Sequence, residues 1–423
     1  MVDATDYIVF PTVAQGVQGS YNYYTKRADH DELHHSFMSI LPRPSRFRRL
    51  FRKGAVPTMI PDNRVTLIPD GGEFFTALID GINRAEKVLL LEFYTIRSDL
   101  AGVLFAQALA AAVKRGVRVM LLYDYIGSFE TSSDYFRKIQ QSGVLCRAFN
   151  PLALRRGVGW LDRRDHRKMA LFDGTWAMVG GVNIGNEYSG HGDKGKWRDA
   201  GVIIQGPAMT ELRGLFRETW EHDGHQFPAE LLLPGEEPGQ GDAGIGIIGS
   251  APHHLRSAIR RSFRLAIAGA SFNVRIMTPY FLPGPRLVRS MIRAARRGIL
   301  VRIILPAVSD VPLVRLLSRA YYHPLLVEGI EIYERQHRIL HAKVMLIDDH
   351  WSIFGSANLD HRSFLRNYEL GAIIDSPDFG RQVVEMFQGD LEQSRRISLD
   401  EHQRRGWLVR SLEVIFSPIA RFL

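Results

Sequence analysis

The 423-residue chain has a single cysteine, Cys146, which excludes an intrachain disulfide and any metal site built from several thiolates. Its setting, Val144-Leu145-Cys146, reads as small buried filler rather than a nucleophile. The lack of disulfides suits a reducing compartment. Long apolar runs are also missing: none approaches the roughly 20 residues that span a bilayer. The opening MVDATDYIVFPTVAQ carries an acidic residue where a signal peptide would be positive, and its apolar stretch is too short. The expectation is no transmembrane helix and, at most, peripheral contact with a membrane. Acidic residues are outnumbered, 45 against 54 Lys and Arg, for a net charge of +9. That balance favours an anionic partner: phospholipid, nucleic acid or a phosphorylated metabolite. With 45% hydrophobic and 23% charged residues, the chain can bury two sizeable cores.

What is present is a duplication. In the first half VLLL leads into EFYTIRSD, then LFAQALAAAVKRG and VRVMLLYD. In the second, FNVRIMTPYF is followed by LVRSMIRAARRG and ILVRIILP. Each half reads strand, helix, strand, with Gly116 and Gly298 as helix C-caps behind basic residues that complement the dipole. Apolar strands alternating with helices predict βαβ units and a mostly parallel sheet in each half. Residues 227–244, FPAELLLPGEEPGQGDAG, are rich in Pro and Gly and read as a linker. The chain divides into an N-terminal extension (1–60), a first lobe (61–226), this linker, a second lobe (245–395) and a C-terminal amphipathic segment (396–423).

The chemistry lies in a repeated motif. His166-Arg-Lys168-x4-Asp173 is followed by Gly180-Gly181-Val-Asn183, and His341-Ala-Lys343-x4-Asp348 by Gly355-Ser356-Ala-Asn358; every matched position is offset by 175 residues. Five matched positions should arise by chance about once in a million start points. The apolar stretches MALF and VMLI predict buried strands, on which residues two apart share a face, so each His and its Lys project together. A lysine beside a histidine makes a poor metal site, because a protonated ammonium repels a cation and cannot ligate it. It makes a good phosphate site: two lysines and two asparagine amides can surround a phosphoryl group. Small residues at Gly180, Gly181, Gly355 and Ser356 would let the main chain approach that phosphate.

This paired motif resembles the phospholipase D superfamily, from about Val65 to about Gly389. The flanks Leu91-Glu-Phe-Tyr94, Gly180-Gly-Val-Asn-Ile184, Trp197-Arg-Asp199, Gly355-Ser-Ala-Asn-Leu-Asp-His-Arg362 and Asn367-Tyr-Glu369 are similar to bacterial cardiolipin synthases. Gly181 departs from the Ser that many members carry there. The resemblance implies an α/β chain of two fused lobes, each a mostly parallel sheet flanked by helices, related by a pseudo-twofold axis with one site in the seam. It implies metal-free and cofactor-free transfer of a phosphatidyl group to the hydroxyl of phosphatidylglycerol. One histidine forms a phosphohistidine while the other protonates the leaving alkoxide; the alternative is hydrolysis of phospholipid or nucleic acid. By the same analogy His166 is the nucleophile and His341 the acid, with Lys168, Lys343, Asp173 and Asp348 completing the catalytic motifs. Asn183, Asn358, Ser356 and Gly181 border the phosphate, and Asp199 and Glu369 orient the histidines. Asp173 and Asp348, at the strand ends, read as structural groups that pair with nearby cations. The implied partners are phosphatidylglycerol and a membrane surface, with nucleic acid disfavoured because single-lobed nucleases of this superfamily dimerise. The implied location is the cytoplasmic face of a bacterial cell membrane.

Two segments suit an anionic lipid surface: residues 41–54, LPRPSRFRRLFRKG, and the apolar-basic residues 407–423. The pairs His34-His35 and His253-His254 read as solvated surface, and His191 as part of a polar glycine-rich loop.

Overall fold

The computed structural model describes residues 57–151, 162–191, 197–222, 224–231, 239, 241–250, 258–416 and 419–420. The basic segment 41–54 and both His-His pairs lie outside the described residues.

The first lobe runs β1 (Ile60–Ile68), α1 (Gly71–Arg84), β2 (Val88–Phe93), α2 (Leu100–Lys114), β3 (Arg118–Asp124), α3 (Ser133–Gln141), β4 (Leu145–Phe149), β5 (Met169–Phe172), β6 (Trp176–Gly180), α4 (Asn186–Ser189), β7 (Gly201–Gln205) and α5 (Met209–Glu221). The second runs β8 (Ala243–Ser250), α6 (Ala258–Gly269), β9 (Asn273–Met277), α7 (Gly284–Ala295), β10 (Leu300–Pro306), α8 (Pro312–Arg319), α9 (Tyr322–Leu326), β11 (Glu331–Arg335), β12 (Val344–Ile347), β13 (Trp351–Gly355), α10 (His361–Leu365), β14 (Glu369–Asp375) and α11 (Pro377–Glu392). After these come β15 (Ser394–Ile397), α12 (Leu399–Gln403) and α13 (Trp407–Phe416). The duplicated strand–helix–strand units appear where the sequence places them. Asp70 and Asp99 cap α1 and α2 by accepting from Gly72 N and Gly102 N. Gly116 and Gly298 take φ of +92° and +84°, a region that costs a glycine nothing.

One sheet of fifteen strands joins the lobes, in the order β15-β11-β10-β9-β12-β13-β14-β8-β1-β7-β6-β5-β2-β3-β4. Read outward from the antiparallel β1·β8 pair, the two lobes repeat the same strand sequence. Only β2-β3-β4 and β9-β10-β11 are parallel; the remaining pairs within each lobe are antiparallel. The mostly parallel sheet of the sequence reading is therefore corrected to a mixed one. One cause is that β5 and β6, like β12 and β13, are joined by three-residue turns that close only antiparallel ladders, while burial on both faces leaves these strands as apolar as parallel ones. One core lies between the lobes and combines Val88, Leu90, Trp220, Val344, Leu346 and Phe387. Two others pack helices on the outer faces, around Phe74 and Phe105 in the first lobe and Phe263 and Met291 in the second. Phe227 and Leu231, at the start of the expected linker, are buried in the shared core.

Asp173 and Asp348 sit beyond the far ends of β5 and β12 from the histidines, with roughly 13 Å of strand intervening. Both adopt left-handed φ, +52° and +51°. Asp173 accepts from the N–H groups of Glu86, Lys87 and Val88 at 2.7–3.0 Å, and Asp348 from those of Ser271, Phe272 and Asn273 at 2.8–3.1 Å. These carboxylates fasten the starts of β2 and β9. Their bonds are to main chain, not to the cations expected from the sequence, and they stand apart from the His–Lys pairs of the motif. Replacing Asp348 by Ala strands three N–H donors at a strained φ. It should cost roughly 2–4 kcal/mol in chemical denaturation while the folded fraction keeps its activity.

Candidate active site in the seam

Because β5 runs antiparallel to β2, the segment Asp165–Lys168 lies at the C-terminal end of β2, beside the exit of β6 and the entry of β7. The second lobe repeats this around His341. Main-chain bridges then cross the seam. His166 N donates to Tyr368 O (2.9 Å) and Tyr368 N to Arg164 O (2.8 Å). On the other side His341 N donates to Arg198 O (2.7 Å) and Arg198 N to Ile339 O (2.8 Å). The residue after each carboxylate-side anchor is the carboxylate itself, so the pairing is crosswise. His166 Nδ1 lies 3.0 and 3.1 Å from the two oxygens of Glu369, and His341 Nδ1 lies 2.6 Å from Asp199 Oδ2. Each lobe's carboxylate holds the other lobe's histidine. An Nδ1–H donated to a carboxylate leaves the Nε2 lone pair free to act. Lys343 Nζ also comes within 2.9 Å of His341 Nδ1. With that nitrogen's proton committed to Asp199, the contact is an approach rather than a hydrogen bond.

The small residues of the motif have neighbours other than those expected. A Cβ on Gly181 would stand 2.4 Å from Asp199 Oδ1, so the glycine makes room for the carboxylate. Ser356 fills the matching position, but its hydroxyl donates to Glu369 and accepts from Leu370 N. Both Gly181 and Ser356 thus contact the carboxylates that hold the histidines. Asn183 accepts from Thr95 N (3.0 Å) and donates to Tyr188 Oη (3.0 Å), bracing the loop. Asn358 Oδ1 is buried without a hydrogen-bond partner among the described residues.

The electrostatics of the site favour the neutral forms of its histidines. Burial, with Lys168 and Lys343 adding to it against Glu369, pushes His166 down to about 4. Burial and Lys343 likewise lower His341, against the pull of Asp199 and Asp310. Burial and the opposing lysine push Lys168 down to about 7, and burial takes Lys343 to about 8. Glu369 and Asp199 are held below the usual carboxylate range despite full burial, by the histidines and lysines facing them. Two near-neutral lysines and two imidazoles therefore converge on one space, ready to gain protons when a phosphodiester anion enters.

Several site-lining residues escaped the motif reading. Tyr94 meets His166 edge-on (4.8 Å between ring centres) and lies under Lys168 Nζ (5.0 Å). Tyr188 and Trp197 both pack on His341, with ring centres 5.3 Å away. Tyr280 donates to Asp310 (2.6 Å). Tyr94 and Trp197 stood in the quoted flanks, whereas nothing in the sequence ties Tyr280 or Asp310 to the site. Arg198 crosses the seam to Asp390 (2.6–3.0 Å), which also binds Arg335. His191 packs against Phe75. Cys146 is a buried thiol pushed up to about 12.

A duplicated α/β chain whose two lobes share one crosswise histidine site belongs to the phospholipase D class of enzymes. Phosphatidylserine synthase of Haemophilus influenzae has the same fold, with a TM-score of 0.69 at 14% identity over 89% of this chain and 98% of that one. Within the class, the family model for the cardiolipin synthase PLD-like domain matches residues 78–220 and 264–391, and the chain belongs to that family. It is 34% identical over 380 residues to cardiolipin synthase 2 of Bacillus anthracis, covering 88% of this chain and 74% of the relative. It is 32% identical over 435 residues to cardiolipin synthase A of Pseudomonas putida, covering 97% and 89%.

The lowered lysines give a pH signature. Anion binding raises their pKa values, so binding takes up protons above about pH 7 and more fully above about 8. Inorganic phosphate should inhibit more weakly as pH rises above 8, and calorimetry in buffers of different ionisation enthalpy should detect proton uptake near neutrality.

Proposed function

We propose that the chain moves a phosphatidyl group from one phospholipid to a hydroxyl of phosphatidylglycerol, through a phosphohistidine on His166. Neutral His166 attacks phosphorus with Nε2, forming the N–P bond as the P–O bond to the leaving alkoxide breaks. His341 gives that alkoxide its proton, then takes one from the incoming hydroxyl, whose oxygen displaces His166. Lys168 and Lys343 neutralise the phosphoryl oxygens. The observation that carries this reading is the pair of crosswise histidine–carboxylate contacts beside two buried lysines. The division of labour follows the charges: His341 faces Asp310 in addition to Asp199, and a second carboxylate favours the imidazolium that an acid needs. The enzyme works peripherally at the cytoplasmic face of the membrane, with lobes at 61–226 and 245–395 joined through 227–244.

His341→Ala should still accumulate an acid-labile phosphoenzyme from a substrate with a good leaving group, with the label on the His166 peptide. Turnover of ordinary phospholipid should fall at least about 10²-fold. Label on a peptide lacking His166 would reverse the roles.

Transfer must outrun water, present at about 55 M, through orientation that is worth effective molarities of about 10⁵ M or more. Phosphatidylglycerol vesicles should therefore yield cardiolipin and glycerol in equal amounts, read by mass spectrometry. Phosphatidic acid without cardiolipin would make the enzyme a hydrolase.

A further inference from the structure

Helix α13 turns its apolar side outward. Trp407, Leu408, Leu412 and Ile415 are 68%, 59%, 42% and 65% exposed, and at 100° per residue they cover one continuous arc of about 140°. The helix is anchored beside that arc, about 40° past its Leu412 edge. Phe416, with Ala420 beyond it, packs on the small cluster of Leu282, Val314 and Leu317 that also holds Tyr280 and Val311. Tyr280 leads through Asp310 to the surroundings of His341, so α13 flanks the second-lobe side of the site. Two residues before Asp310, Val308 is 61% exposed in the loop leaving β10.

The first lobe repeats the arrangement. In the loop leaving β3, Gly127 and Ser128 press on Tyr94, the ring that rests on His166. The next residue, Phe129, is 70% exposed. Apolar side chains thus face outward on both sides of the one catalytic seam. Arg404 and Arg410 are exposed before and on α13, in a chain of net charge +9.

We propose that α13, Phe129 and Val308 form a single docking rim for an anionic phospholipid bilayer. The apolar arc of α13 enters the boundary between head groups and acyl chains, its arginines meet lipid phosphates, and the seam opens toward the lipid surface. A bilayer fits better than a second protein chain because the apolar positions are distributed around the very site whose reading requires lipid head groups. The proposal rests on that phospholipid reading, and deepens it by naming the surface that delivers the substrate.

The test compares the full-length protein with Leu408→Ser/Leu412→Ser/Ile415→Ser and with Phe129→Ser. Sedimentation with phosphatidylglycerol–phosphatidylcholine vesicles gives affinity, and monomeric short-chain phosphatidylglycerol gives turnover free of any bilayer. The triple variant should bind vesicles at least about tenfold more weakly, lose turnover on vesicles in proportion and keep its turnover on the monomeric substrate. Phe129→Ser should weaken vesicle binding to a smaller degree. If the triple variant melts early, Leu408→Ser and Ile415→Ser are measured singly. Undiminished vesicle affinity overturns the docking rim. So does a wild-type dimer that the triple variant dissociates while vesicle affinity holds, because the arc would then belong to a second copy. Absence of turnover on both substrates by the wild type would instead defeat the phospholipid reading itself.

Discussion

The site depends on an exchange of main chain across the seam. Tyr368 is clasped between Arg164 and His166, and Arg198 between Ile339 and Ala342. Each clasped residue directly precedes a carboxylate, so the bridges dictate which histidine each carboxylate reaches. Neither lobe holds a complete site: separated, each histidine would lose the acceptor that fixes its tautomer, and each carboxylate the proton that justifies its burial. Buried pairs of this kind contribute little net stability, yet losing one partner is costly. The arrangement therefore makes lobe association a condition of catalytic geometry. The ion triad Arg198–Asp390–Arg335 and the pair Arg366–Asp162 add further crossings, and the shared apolar core supplies most of the adhesion.

Within this symmetry the two carboxylate settings differ by compensating changes. On one side a shorter carboxylate, Asp199, stands against Gly181; on the other a longer one, Glu369, stands under the hydroxyl of Ser356. Swapping only one member of a set would create a clash or a gap. Glu369 spreads both oxygens across His166 while also accepting from Ser356 and Asn367. Asp199 gives one oxygen to His341 and the other to Ala200 N. Glycine at 181 is thus a steric requirement of this half, and the hydroxyl that it lacks is bonded, in the other half, to the carboxylate.

The sequence made the repeat, the six motif residues and both orienting carboxylates legible, because exact 175-residue spacing and apolar strands survive in one dimension. It could not show the crosswise pairing. A duplicated chain places Asp199 downstream of His166 and Glu369 downstream of His341 equally well for partners within a lobe or across the seam. Only the bridges at Tyr368 and Arg198 decide. Strand direction was hidden for a related reason: β5 and β12 are buried on both faces, so MALF and VMLI read alike in parallel and antiparallel ladders. Asp173 and Asp348 were legible as structural groups at the strand ends, but spacing could not show that their partners are main-chain N–H groups rather than cations. Tyr280 and Asp310 join the site through the loops after β9 and β10, whose first-lobe counterparts follow β2 and β3, but the residues themselves are not repeated.

The repeat is least faithful beneath the histidines, where two chemically similar groups must be driven apart. Under His166 lie Glu92, Asp165, Arg167, Asp124 and Arg164, all buried. The sheet register and the repeat spacing place Met277, Leu340, Ala342, Pro306 and Ile339 at the corresponding second-lobe positions. Glu92 has neither oxygen hydrogen-bonded, and burial together with neighbouring Asp165 raises its pKa well above the ordinary value. Burial raises Asp165 to about 7 beside it. Arg167 spans this floor to Thr219, Glu218 and the carbonyl of Glu369, tying the ionisable layer to the carboxylate that orients His166. A polar, proton-rich floor on one side and an apolar one on the other give two imidazoles with matching first partners different responses to the same incoming anion. In the proposed mechanism, that difference would separate a nucleophile from an acid sharing one seam.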